Sequence, residues 1–274
     1  MIDGWRLVRG PNVLIAGGGV LAGGWIALGQ IALPKLLVFA ALSGIGLGLA
    51  GNVVNDLQDA ATDRINYPGG ERPIAAGRIS RDAAHLLVWL GLAGGLGCAA
   101  LVSGMQLLVG LAAAAVMVAY SPVLKRAGWP GNVAVAAVAG VPLFYGALSV
   151  DRPGAGLVPW ALAAWIHLGR ELVKDLQDEA GDRATGRRTL PVRVGRPRAR
   201  SVTWWVCIAF VPWAFVLPRL AGYRDVYFAV VSIAALLVLL AAVALRRDRF
   251  PRASVLLKAA MVVGMVALVL GRMA

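Results

Sequence analysis

"NDLQDAATDR" spans Asn55–Arg64 and "KDLQDEAGDR" spans Lys174–Arg183, and seven of the ten positions are identical. Each phrase closes a hydrophobic run, and those runs decide the fold. The chain has 274 residues, 59% of them apolar, with a mean hydropathy of +0.74. A soluble domain is nearer half apolar. The apolar residues fall in nine blocks, roughly 11–32, 35–55, 83–102, 105–120, 131–149, 157–175, 201–218, 226–245 and 253–271. Blocks of this length cross a ~30 Å hydrocarbon core as helices. The loops between them are too short to hold a soluble domain. The expectation is an all-α polytopic membrane protein, residues 1–274 forming one transmembrane domain of nine helices.

A net charge of +13 would suggest nucleic acid in a soluble protein, but its distribution argues for a membrane. With the N-terminus inside, 19 basic residues fall in loops on that side and 5 on the other. That positive-inside bias places the N-terminus and both acidic phrases in the cytoplasm and the C-terminus outside, in the cell membrane. Nucleic acid is excluded as a partner. The first apolar block is long and lacks a small-residue cleavage site, so it reads as a retained span. Cys98 and Cys207 both lie inside spans and say nothing of redox compartment.

Two cytoplasmic loops, from about 56 to 82 and 175 to 200, hold 10 of the 14 acidic residues together with the adjoining helix ends. The phrases occupy equivalent places in them, so the chain carries a parallel repeat. "GLGLAG" at Gly46–Gly51 matches a dinucleotide-binding string, but no strand precedes it and it lies within a span. Glycines of the first two spans (17, 18, 19, 23, 24, 44 and 48) read as close helix contacts.

As a helix, the first phrase puts Asn52, Asn55, Asp56, Asp59 and Asp63 on one face. The second does the same with His167, Arg170, Glu171, Lys174, Asp175, Asp178 and Asp182. Like charges at that spacing repel, and beside a membrane they are costlier still. One copy alone reads equally as a solvated helix end paired with Arg64, Arg72 or Arg183. Two matching copies suit a hard cation, because Mg²⁺ takes one or two carboxylates plus waters and phosphate oxygens. Two such faces could clamp a diphosphate. Cationic partners for it are Lys125 and Arg126 in "YSPVLKR", which begins at Tyr120, and Arg72 and Arg78 in the first loop. Lys125 and Arg126 read equally as topology anchors. His167 reads as packing or polar lining.

The phrases have the forms N-D-x-x-D-x-x-x-D and D-x-x-D-x-x-x-D. Between them lie "RPIAAGRIS", "YSPVLKR" and "GNVAVAAVAG", and "GRRTLPVRVG" follows. This order closely resembles the UbiA superfamily of intramembrane prenyltransferases over about Asn52 to Gly195. The resemblance implies nine helices around a central cavity, with the acidic motifs at its cytoplasmic mouth. It implies Mg²⁺ as cofactor, held from Asn55, Asp56, Asp59 and Asp63 and from Asp175, Asp178 and Asp182, and an isoprenyl diphosphate as donor. Asp59, Asp178 and Lys125 become the groups on which catalysis depends. Arg72, Arg78, Tyr120, Lys125, Arg126, Lys174 and Asn52 become substrate contacts. The extra Gly69, Gly70 and Glu71 before Arg72 depart from the pattern and lengthen the loop over the mouth.

Within the superfamily, "GRELVKDLQDEAGDRATGRRTLPVRVG" looks most like the geranylgeranylglyceryl phosphate geranylgeranyltransferases. The acceptor would then be a lipid phosphate, with Arg72, Arg78, Arg183, Arg187 and Arg188 at hand for its phosphate. Aromatic prenyltransferases of quinone and chlorophyll synthesis share much of the wording, so an aromatic acceptor is the alternative. A secondary transporter also fits a parallel helical repeat, but the outer half of this chain is nearly uncharged.

Overall fold

A computed structural model describes residues 2–119 and 128–273. Every regular element among them is helical: α1 (Ile2–Leu7), α2 (Gly10–Leu28), α3 (Lys35–Asn66), α4 (Arg81–Val102), α5 (Gly104–Ala119), α6 (Trp129–Leu148), α7 (Pro153–Ala184), α8 (Leu190–Val194), α9 (Arg196–Leu220), α10 (Asp225–Arg246) and α11 (Phe250–Leu270). An apolar chain in lipid has no water to satisfy its backbone, and helices solve that within each segment. The ends follow local chemistry. Gly29 closes α2 in the left-handed region (φ 73°). The Ser80 hydroxyl accepts from the Ala83 N–H at 3.2 Å and starts α4.

The long helices follow the nine apolar blocks. Seven of them are long and apolar enough to cross a membrane: α2, α3, α4, α6, α9, α10 and α11. Helix α5 has 16 described residues, about 24 Å at 1.5 Å per residue. Helix α7 is long enough, at 32 residues, but His167, Arg170, Glu171 and Lys174 lower its hydropathy. The protein is an all-α polytopic membrane protein with seven candidate spans. Large apolar side chains such as Trp89, Trp205 and Leu220 stand exposed on the outside of the bundle, where lipid would meet them.

Helix α2 packs on α3, α6 and α11, α7 lies between α6 and α9, and α10 joins α9 to α11. Small residues set the closest crossings. A Cβ on Gly23 would lie 2.0 Å from the Leu143 carbonyl oxygen, and one on Gly146 1.8 Å from that of Val20. The α2 and α6 backbones therefore touch. Gly18 departs from the expectation, since a Cβ there would meet nothing within 4 Å. Polar ties lock the interior: Ser43 and Tyr145 share a 2.9 Å hydrogen bond, and buried Gln106 donates to the Tyr145 carbonyl at 3.0 Å.

Both acidic phrases are helical, as their spacing predicts, and it is the start of the two loops that departs from expectation. Residues 56 onward and 175 onward open the expected loops, yet α3 continues to Asn66 and α7 to Ala184. Aspartates depress hydropathy without ending a helix. Both motifs therefore stand on rigid helical extensions rather than on loops.

Candidate active site

The extensions of α3 and α7 approach each other at one end of the bundle. Asn66, the last residue of α3, accepts the Gly181 N–H on Oδ1 at 3.0 Å and donates to the Asp178 carbonyl at 3.3 Å. Thr62 and Thr185 share a 3.1 Å hydroxyl contact. Between them Arg187 joins the two phrases: its guanidinium ion-pairs with Asp59 on α3 and, at 3.4 Å, with Asp182 on α7. All three side chains are at most 10% exposed.

The other aspartates have other partners. Asp56 pairs with Arg9 and, at 3.7 Å, with Arg72. Arg72 also reaches Asp63 at 3.7 Å and lies over the Tyr67 ring, 4.9 Å from its centroid. Tyr67 donates to Asp178 at 3.1 Å, and Asn132 of α6 donates to Asp175 at 2.7 Å. Burial alone would lower the Arg187 pKa, but Asp59 and Asp182 more than offset it and hold it raised. The same opposition, with Asp56 and Asp63, raises Arg72. Burial, with the Asp178 charge, raises the Tyr67 phenol, so it stays a donor.

Inward of the aspartates lies a cavity of about 380 Å³, in the range of small-molecule sites. Asn52, Asn55, His167, Arg170, Glu171 and Lys174 line it on α3 and α7. Its far part is walled by apolar groups such as Leu162, Phe210 and Met265. The cavity continues along α11 from Lys258 to Leu268, about 15 Å of helix. Gly19, Gly44, Gly48 and Gly51 also line it, so some glycines expected only as packing points open the space.

Most residues picked out in the sequence meet here. Asn52 lines the cavity and donates to the Val8 carbonyl at 3.0 Å, tying α3 to the segment after α1. Lys174 pairs with Glu171 at 3.1 Å on the cavity wall. Arg78 is not brought to the aspartates: it is exposed and bonds Asp3 at 3.1 Å and the Gly70 carbonyl at 2.6 Å. Arg183 is exposed and is taken by Glu179 at 2.8 Å. Tyr120, Lys125 and Arg126 lie outside the described residues. The sequence reading missed Arg9, Asn132, Tyr67 and Lys258. Lys258 had a signal, as a lone cation in an apolar block.

The sequence model of the UbiA prenyltransferase family matches residues 17–269. The chain belongs to the UbiA prenyltransferase family. Among curated relatives, the digeranylgeranylglyceryl phosphate synthase of Thermococcus gammatolerans is 36% identical over 83% of this chain and 82% of its own length. That of Thermococcus kodakarensis is 34% identical over 96% and 95%. A solved UbiA homolog from Aeropyrum pernix aligns with this UbiA prenyltransferase at a TM-score of 0.79 and 20% identity, covering 93% of this chain and 98% of that one. A UbiA homolog from Archaeoglobus fulgidus, solved with GPP and Mg²⁺, aligns at 0.70 and 18% over 97% and 99%. These two likenesses show the fold.

The residues of this UbiA prenyltransferase fit the Mg²⁺ that the family implies. The donors are carboxylate oxygens from two facing helices, the ligand type a hard cation takes. Asp56 Oδ2 is buried with no hydrogen-bond partner among the described residues. Among those residues no ready-made cage of three or more metal-binding side chains exists. Mg²⁺ needs none, since substrate phosphate and water complete its shell.

Proposed function

We propose that the chain is a digeranylgeranylglyceryl phosphate synthase, which moves a geranylgeranyl group from geranylgeranyl diphosphate to geranylgeranylglyceryl phosphate and so makes a diether lipid precursor. The observation that carries the reading is Arg187 bridging Asp59 and Asp182, which faces the two phrases onto each other at the head of an apolar cavity. The acceptor is supported by the names of relatives about a third identical over most of both chains.

Asp56, Asp59 and Asp63 on one side, with Asn55, and Asp178 and Asp182 on the other, would hold Mg²⁺. Asp175 joins them less directly, since Asn132 takes one of its oxygens. Bound Mg²⁺ supplies positive charge toward the departing diphosphate. Arg9 and Arg72 already stand among the carboxylates and would turn to the diphosphate as it arrives, while Arg187 stays as the bridge between Asp59 and Asp182. Lys125, with Tyr120 and Arg126, is assigned to the same diphosphate on the family resemblance.

The prenyl tail lies along the apolar wall toward Leu268, which keeps water from the allylic carbon. The allylic C–O bond breaks and the diphosphate leaves with its electrons. The acceptor oxygen bonds to the freed carbon. Its proton, acidic once the oxygen is alkylated, passes to the departing diphosphate.

All nine long helices cross the membrane in this reading, and both phrases face the cytoplasm. Single cysteines at Gly69 and Thr185 should react with an impermeant thiol reagent only from the cytoplasmic face; labelling of intact cells from outside would overturn the topology. For the reaction, purified protein is given geranylgeranyl diphosphate, Mg²⁺ and each acceptor in turn. The expected product is digeranylgeranylglyceryl phosphate. A prenylated 4-hydroxybenzoate or naphthoate instead would overturn the acceptor.

A further inference from the structure

Of the five arginines first available for an acceptor phosphate, Arg72 and three others are engaged with carboxylates. Arg187 holds Asp59 and Asp182, Arg183 holds Glu179, and Arg78 holds Asp3. A different group of cations is free of the aspartates. Arg170, Lys174 and Lys258 line the cavity and have Glu171 as the one carboxylate lining it beside them, among the described residues. Glu171 is shared, 3.5 Å from Arg170 and 3.1 Å from Lys174. Arg170 Nε is buried with no hydrogen-bond partner among the described residues. Lys258 donates at 3.2 Å to a neutral acceptor, the Asn12 amide oxygen of α2. Its charged neighbours, Arg9 and Arg170, are both cations.

Three cations against one carboxylate inside a lipid-embedded bundle are unfavourable unless an anion joins them. The excess is two positive charges, matching a phosphate monoester dianion. The place borders the aspartates at Lys174, which adjoins Asp175, and extends inward from them. Arg170 precedes Asp178 by eight residues on α7, which puts it about 12 Å deeper along the helix. On a glyceryl phosphate the reacting hydroxyl sits on the carbon next to the one bearing the phosphate. A phosphate held at Lys258 and Arg170 therefore points that hydroxyl back toward the donor, while the spacing keeps two polyanions apart.

We infer that Lys258, Arg170 and Lys174, with Asn12, form a separate seat for the acceptor's phosphate monoester, deeper in the cavity than the diphosphate site; this rests on the acceptor reading above. The donor site needs metal and this seat does not, because its charge comes from side chains alone.

The test is calorimetric binding of geranylgeranylglyceryl phosphate to the purified protein in EDTA, with no donor present. Wild type binds; Lys258→Met binds at least about tenfold more weakly. Lys258→Arg restores binding, and unphosphorylated geranylgeranylglycerol does not distinguish wild type from Lys258→Met. Equal binding by Lys258→Met, or binding by wild type only when Mg²⁺ is added, would overturn the seat. In turnover, Lys258→Met raises KM for the acceptor and leaves KM for the donor within about twofold. A rise in the donor's KM instead would assign the cluster to the diphosphate and overturn the proposal. Tight binding in EDTA without any ether product would support the seat while sinking the proposed reaction.

Discussion

The two copies of the acidic phrase share seven of ten residues but not their surroundings. On α3, Asp56, Asp59 and Asp63 each meet an arginine brought from elsewhere in the chain: Arg9, Arg187 or Arg72. On α7, Asp175 and Asp178 accept hydrogen bonds from the neutral Asn132 and Tyr67, and Asp182 shares Arg187 with the first copy. A sequence duplication has been fitted with unlike partners. Among the described contacts, the α3 face is held by arginines, which a metal could displace and a phosphate attract. The α7 face takes neutral donors at Asp175 and Asp178 and the shared arginine at Asp182. On the proposed reading the first copy answers mainly to charge and the second mainly to position, with Arg187 as the link.

Removing a carboxylate from either copy should have the largest effect. Asp59→Ala and Asp178→Ala should each lower kcat by about a hundredfold or more, in the range seen when a group stabilising developing charge is lost. Initial rates in saturating Mg²⁺ check this, and near wild-type activity in either variant would break the two-sided clamp. Chelation should act in the same direction: EDTA should abolish transfer in wild type, read by product formation.

Breaking the link comes next. Arg187→Met removes a guanidinium that two buried carboxylates share, and such losses cost about 3–5 kcal/mol. The variant's melting temperature in EDTA should fall well below that of wild type, and Mg²⁺ should recover part of the loss by restoring positive charge. A melt unchanged in EDTA would mean that the bridge carries little. The smallest effect is expected on the positioning side. Tyr67→Phe deletes one hydrogen bond to a carboxylate, about 1.5 kcal/mol at the low end for a charged acceptor, so activity should drop about tenfold and the melting temperature should fall less than in Arg187→Met. A Tyr67→Phe enzyme as damaged as Asp178→Ala would erase the distinction between the two faces.

What could be read in the sequence follows the same division. The aspartates were legible because they recur, and a recurrence at helical spacing fixes a face. The apolar blocks were legible because lipid demands length. Their ends were not: Asp56 and Asp175 look like the first residues of loops on a hydropathy trace, although the helices run on to Asn66 and Ala184. The partners were harder. Arg9 carries the same charge as any cytoplasmic anchor, and only packing of α1 and α2 against α3 brings it to Asp56. Asn132 is neutral, and nothing marks it before α6 and α7 are seen side by side. Arg187 was counted as spare charge for a phosphate, whereas its guanidinium is already committed to Asp59 and Asp182.

The central claim is that both phrases serve one diphosphate site, and a double-mutant cycle tests it most directly. Initial rates of prenyl transfer are measured for wild type, Asp59→Asn, Asp178→Asn and the double variant, at saturating Mg²⁺ and donor. Residues that act as a unit are strongly non-additive, so the double variant should be no slower than about threefold below the worse single. Losses that simply multiply in the double variant would mean two independent sites, and would contradict the account.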